Sequence, residues 1–120
     1  MPSTFVIPDN ASVSNSIDLS MSGLLGAHFP ATLEAGTTHL EIQVSTDAFN
    51  ATADAAATFT PLTVAGVLQR FTVVSGTAKC DHLSQMIRAK RVRLRAVDTA
   101  GSAKAQTGGP ITIYPETVRL

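Results

Sequence analysis

A chain of 120 residues has the size of one domain, and folding at that length removes roughly two-thirds of the unfolded surface from water, enough for one core but not two. Its composition, 44% hydrophobic and 15% charged, excludes a disordered chain, while the apolar runs are too short to cross a bilayer. Nine Lys and Arg balance nine Asp and Glu, so no net field draws in nucleic acid or an anionic membrane, and any electrostatic role is local.

From the N-terminus, Ser3 to Ile7 is short, apolar and β-prone, and Pro8-Asp9-Asn10 ends it with turn residues. Residues 1–15 are expected to form an N-terminal arm or edge strand, ahead of a domain spanning 16–120. Phe5, Val6 and Ile7 would either pair within their own sheet or reach across to a partner. The opening residues lack the basic and apolar regions of a secretory signal, so the sequons at Asn10 and Asn50 read as chance matches.

Ile17, Leu19 and Met21 alternate with Asp18, Ser20 and Ser22, which places the apolar three on one strand face, and Gly23 closes the strand. Gly26 and Pro30 argue against a long regular element next. The clearest strand is Thr38 to Ser45, with Leu40, Ile42 and Val44 alternating against polar neighbours. Thr46 to Thr58 is expected to be a loop, with at most a helical turn in its Ala run. Phe59 to Val64 and Arg70 to Val74 are β-prone and separated by a turn at Ala65-Gly66.

Within Asp81 to Lys90, Leu83, Met86 and Ile87 stand at helical spacing, so one short helix is expected there. Val92, Leu94 and Ala96 then alternate with Arg91, Arg93 and Arg95 in a second strong strand. A turn-rich stretch with Gly101, Gly108 and Gly109 leads to a closing strand, Ile111 to Tyr114. Many short strands at about ten-residue spacing point to an all-β fold: a single β-sandwich, jelly-roll-like, with at most one short helix.

Chemistry-bearing motifs are absent. The only cysteine, Cys80, permits no internal disulfide and fits a reducing compartment. Cys80 and His82 stand at i and i+2, but no complementary pair of ligands is visible elsewhere, so neither a metal site nor any other cofactor is expected. No nucleophile elbow, phosphate loop or His-Glu-x-x-His occurs, and the carboxylates are scattered singly, so no catalytic residue is nominated and no enzyme is expected.

The uneven feature is charge. Arg88, Lys90, Arg91, Arg93 and Arg95 are five of the nine basic residues. Alternation puts the last three on one strand face. That stripe either pairs with carboxylates on neighbouring strands or docks an acidic partner surface, for which the planar guanidinium is suited. Neutral net charge and the lack of interleaved aromatics argue against nucleic acid.

The order of features adds a family likeness. Leu40-Glu41-Ile42-Gln43-Val44-Ser45 leads into Thr46-Asp47 and a loop, then Phe59-Thr60-Pro61-Leu62, and later Val92-Arg93-Leu94-Arg95, Gln106 and Ile111-Thr112-Ile113-Tyr114. Over residues 38–114 this resembles the small β-sandwich structural proteins of tailed bacteriophages, of the capsid cementing (decoration) kind. The loop after Asp47 departs from that pattern, being Ala-rich without the usual Gly-Gly and Trp.

The resemblance implies a virion structural protein, assembled in the host cytoplasm and sitting on the capsid surface. Its partner would be the major capsid protein, and it would pair with itself as a dimer or trimer. Alternatives are a tail, neck or fibre-base module, or a carbohydrate-binding module, against which the scarcity of aromatics counts.

Overall fold

A computed structural model describes residues 4–120, so the first three residues of the expected arm lie outside the described part. Among the described residues the chain forms eleven strands and no helix. In order they are β1 (Phe5–Ile7), β2 (Ile17–Asp18), β3 (Ser22–Phe29), β4 (His39–Ser45), β5 (Thr60–Pro61), β6 (Thr63–Val64), β7 (Val67–Leu68), β8 (Arg70–Thr72), β9 (Lys79–Ile87), β10 (Arg91–Val97) and β11 (Ile111–Arg119).

Two antiparallel sheets make a β-sandwich. One has the order β1-β11-β3-β9; the other runs β2-β10-β4-β5, with β8 also pairing β4. Alternation decides which residues lie between them: Leu40 and Ile42 of β4 and Val92, Leu94 and Ala96 of β10 face Leu24, Ala27, Ile111 and Ile113 of the other sheet in one core. Phe29 and Phe71 bridge the layers, ring centroids 5.4 Å apart. Gln106 is a fully buried polar side chain. Its Oε1 accepts from Glu34 N at 2.7 Å, and its Nε2 donates to Thr37 Oγ1 at 3.0 Å and Lys104 O at 3.1 Å.

Three sequence expectations are corrected. Asp81 to Lys90 is not a helix but most of strand β9 and the turn after it. Between His82↔Gly26 and Ile87↔Leu24 the register shifts, with five steps along β9 against two along β3. That bulge breaks the two-residue period and mimics helical spacing. Strand β3 runs eight residues through Gly26, so the glycine marks a close approach and not a break. Met21 does not share the buried face of Ile17 and Leu19 but is 61% exposed. The Asp18 carboxylate accepts from Ser20 N at 2.9 Å and turns the chain after β2.

The turn at Ala65-Gly66 is a two-residue hairpin joining β6 and β7. Both residues have positive φ, 51° and 81°, as the twist of a tight hairpin requires. Strand β1 pairs with β11, Phe5 opposite Ile113 and Ile7 opposite Ile111. The arm is thus an edge strand of its own sandwich.

Candidate functional site

The two sheets present very different outer faces. On the β10 side, Arg91, Arg93 and Arg95 do share one face, opposite Ser45, Gln43 and Glu41 of β4. Each is answered from within the molecule. The Arg91 side chain is only 2% exposed and is ion-paired with Asp54 of the loop between β4 and β5. Its Nε donates to Ser16 Oγ at 3.1 Å and its NH1 to the Thr52 carbonyl at 2.6 Å. Phe49 and Phe59 lie against the guanidinium, 5.2 and 5.5 Å from their ring centroids.

Arg93 donates to Gln43 Oε1 at 2.7 Å and stacks on Phe59 at 4.1 Å. Arg95 stands 3.5 Å from Glu41. Burial pushes the Asp54 carboxyl upward, but its hydrogen bonds from Ser16 and the Arg91 charge outweigh that and hold it below the usual carboxylate range. Arg91 is therefore the clamp that holds the 46–58 loop onto the sheet. Arg91 is not available to a partner, and Arg93 and Arg95 are largely engaged.

Of the other candidates, Phe5 and Ile7 are fully buried core residues and Val6 is half-buried, so the arm offers no apolar strip to a neighbour. The reason is pairing with β11, which turns two of the three side chains inward. Arg88 and Lys90 are exposed at the β9–β10 turn. They line an open depression of about 620 Å³ with Val44, Asp47, Thr58 and Thr60.

The outer face of the β11-β3-β9 layer is bare by contrast. Register and alternation put Tyr114, Glu116 and Val118 of β11, Gly23, Gly26 and His28 of β3, and Cys80, His82 and Met86 of β9 on it. At one end, His28 Nε2 lies 3.0 Å from one oxygen of Glu116 and His82 Nε2 lies 2.7 Å from the other. Cys80 Sγ sits 3.8 Å from His28 Nε2 and 4.0 Å from His82 Nε2.

The hydrogen bonds of the two imidazoles hold Glu116 below the usual carboxylate range. Desolvation, then the nearby Glu116 and Asp81 charges, push the Cys80 thiol up. At the other end the face is apolar. Met86 lies over Gly23, where a Cβ would come within 2.2 Å of its sulfur. Val118 and Leu120 are exposed, with Leu120 N bonded to Met21 O at 3.0 Å.

Sequence reasoning missed this face. Cys80 and His82 were visible as a pair, but His28 lies in a segment read as irregular and Glu116 lies beyond the expected end of the last strand. The alternation of Tyr114, Glu116 and Val118 was the signal that could have extended it. Comparison of the chain with protein-family models, with curated proteins and with solved structures finds no match.

Proposed function

We propose that this chain is a virion structural protein that works by binding, a capsid cementing protein docked on the outer shell of a tailed phage. The observation that carries the reading is the unequal distribution of exposed apolar side chains. Among the described residues the large ones are Met21, Val67, Val74, Tyr114, Val118 and Leu120. Four of these belong to this layer: Tyr114 and Val118 on β11, and Leu120 and Met21, which bond to each other just past β11 and just before β3. Exposed apolar side chains gathered on one face mark a protein contact.

The likeness of residues 38–114 to phage sandwich proteins supplies the partner class, and the segments that carry it build the framework. They supply β4, β5, β10, the first half of β11 and the buried Gln106. The contact would use the β11 face in place of the Arg stripe. Each copy would add a modest interface, and many copies would stiffen the shell. Self-pairing as a dimer or trimer would multiply that effect.

The test is to incubate the purified chain with shells assembled from the major capsid protein alone and to image them. Regular occupancy on the shell exterior is expected, reduced at least tenfold in a Met21→Ser, Val118→Ser double variant and unchanged in Arg93→Ser. Density for the chain at the tail or neck of purified particles would replace the capsid reading with a tail or neck module. No density in the particle at all would overturn both.

A further inference from the structure

The polar end of the β11-β3-β9 face goes beyond any docking role. It gathers two of the three histidines of the chain, its only cysteine and a carboxylate. We propose that His28, Cys80, His82 and Glu116 bind a divalent cation of the zinc class as a four-ligand site.

The donor atoms of His28, Cys80 and Glu116 all lie within 4.8 Å of one another. His82 stands outside that trio, its ring nitrogen 4.0 Å from the sulfur and 2.7 Å from the second carboxylate oxygen. Ligand atoms around a tetrahedral zinc, with bonds of about 2.0–2.3 Å, stand roughly 3.3–3.7 Å apart. Four of the six donor pairs stand 2.7 to 4.0 Å apart, on either side of that spacing, with each imidazole on a different oxygen of Glu116. His28, His82 and Glu116 are 52%, 62% and 37% exposed, so turning the His82 ring toward the other three would complete the set.

Three strands fix the donors. His28 and Cys80 are direct partners across β3 and β9, while Gly26 is the partner of both His82 and Glu116. The glycine is what lets those two meet. A Cβ at position 26 would lie 2.6 Å from the Asp81 carbonyl and 3.0 Å from the His82 ring. Side chains on either flank can therefore close over a residue that has none.

Donor chemistry selects the ion. One sulfur, two imidazole nitrogens and one carboxylate suit zinc, whereas magnesium and calcium prefer oxygen alone. Four protein ligands leave no open position, so the site would be structural, tying β3, β9 and β11 together.

Cobalt(II) and zinc, each added alone to the chelator-treated full chain, test the assignment. Cobalt is expected to bind one ion per chain, with a thiolate-to-metal charge-transfer band and the intense visible bands of a tetrahedral centre. One equivalent of zinc should bleach both and raise Tm. Cys80→Ser should abolish the charge-transfer band, and His82→Ala or Glu116→Gln should weaken binding by more than the ~10–100-fold that loss of an outer partner costs. His39→Ala, on the other sheet, should change nothing.

All the variant side chains are half-exposed or exposed, and circular dichroism verifies their folding. Absence of cobalt bands, or equal binding by the wild type and the His28→Ala, His82→Ala double variant, would overturn the proposal. A bound cobalt without the thiolate band would overturn the place of Cys80 in it. None of these readouts depends on a shell, so they stand or fall apart from the docking reading.

Discussion

The outer face of the β10 sheet and that of the β11 sheet teach opposite lessons about reading polar residues in a strand. On the first, three arginines that look like an exposed charged stripe are engaged by Asp54, Gln43 and Glu41, and a loop covers Arg91. On the second, a cysteine and two histidines that form no ligand set in the sequence are brought together by two strands, both imidazoles within 4.0 Å of the sulfur. Charge that is dense in sequence is answered from elsewhere in the fold, because repulsion within the fold must be relieved. Donors that are sparse in sequence can still converge.

The sharpest way to break this contrast is to remove the answer to Arg91. Asp54→Ala leaves a guanidinium buried without its counter-charge and should cost about 3 kcal/mol, read as a lower urea midpoint at unchanged m-value. If stability falls by less than about 1 kcal/mol, in the range of surface pairs, the clamp is not what holds the 46–58 loop.

Next in size, the two glycines of the bare face should part company. Gly26→Ala meets a backbone carbonyl and should cost about 1–3 kcal/mol, whereas Gly23→Ala meets the flexible end of Met86 and should cost less than half as much. Equal losses would mean that the face tolerates no filling anywhere, and its glycines would then say nothing about His82 and Glu116.

Acid should act on the arginine face. Asp54 has a depressed folded pKa, so its contribution is complete above the unfolded value of about 3.9 and drains away as pH falls through the folded one. Asp54→Asn should flatten the loss of stability below about pH 4. An unchanged acid limb would transfer that loss to other carboxylates.

The smallest effect is expected at the β9–β10 turn. Arg88→Ser and Lys90→Ser, both exposed, should shift stability by no more than about 0.5 kcal/mol. A larger shift would extend the clamp beyond the strand.

The sandwich was legible wherever a strand has one polar face. Leu40 to Val44 and Val92 to Ala96 alternate cleanly because β4 and β10 are central strands with core on one side only. Strand β9 was not legible, because its bulge against β3 replaces a period of two with something close to a helical one. Residues Gly23 and Gly26 hid β3, since glycine in a strand reads as a stop unless the neighbour that needs the space is known. The clamp needed Asp54, 37 residues from Arg91 and inside a loop without period, and no local pattern reports such a partner. The meeting of Glu116 with His28, 88 residues away, was out of reach for the same reason.

The pairing of Phe5–Ile7 with Ile111–Ile113 also sets a timetable. The first strand of the chain has its only strand partner more than a hundred residues later, so it cannot be completed until nearly all of the sandwich has left the ribosome. At about 5–20 residues per second that leaves Phe5 and Ile7 uncovered for on the order of ten seconds in each round of synthesis. Assembly of this protein is therefore a race between closing its own last seam and meeting another nascent copy with the same seam still open.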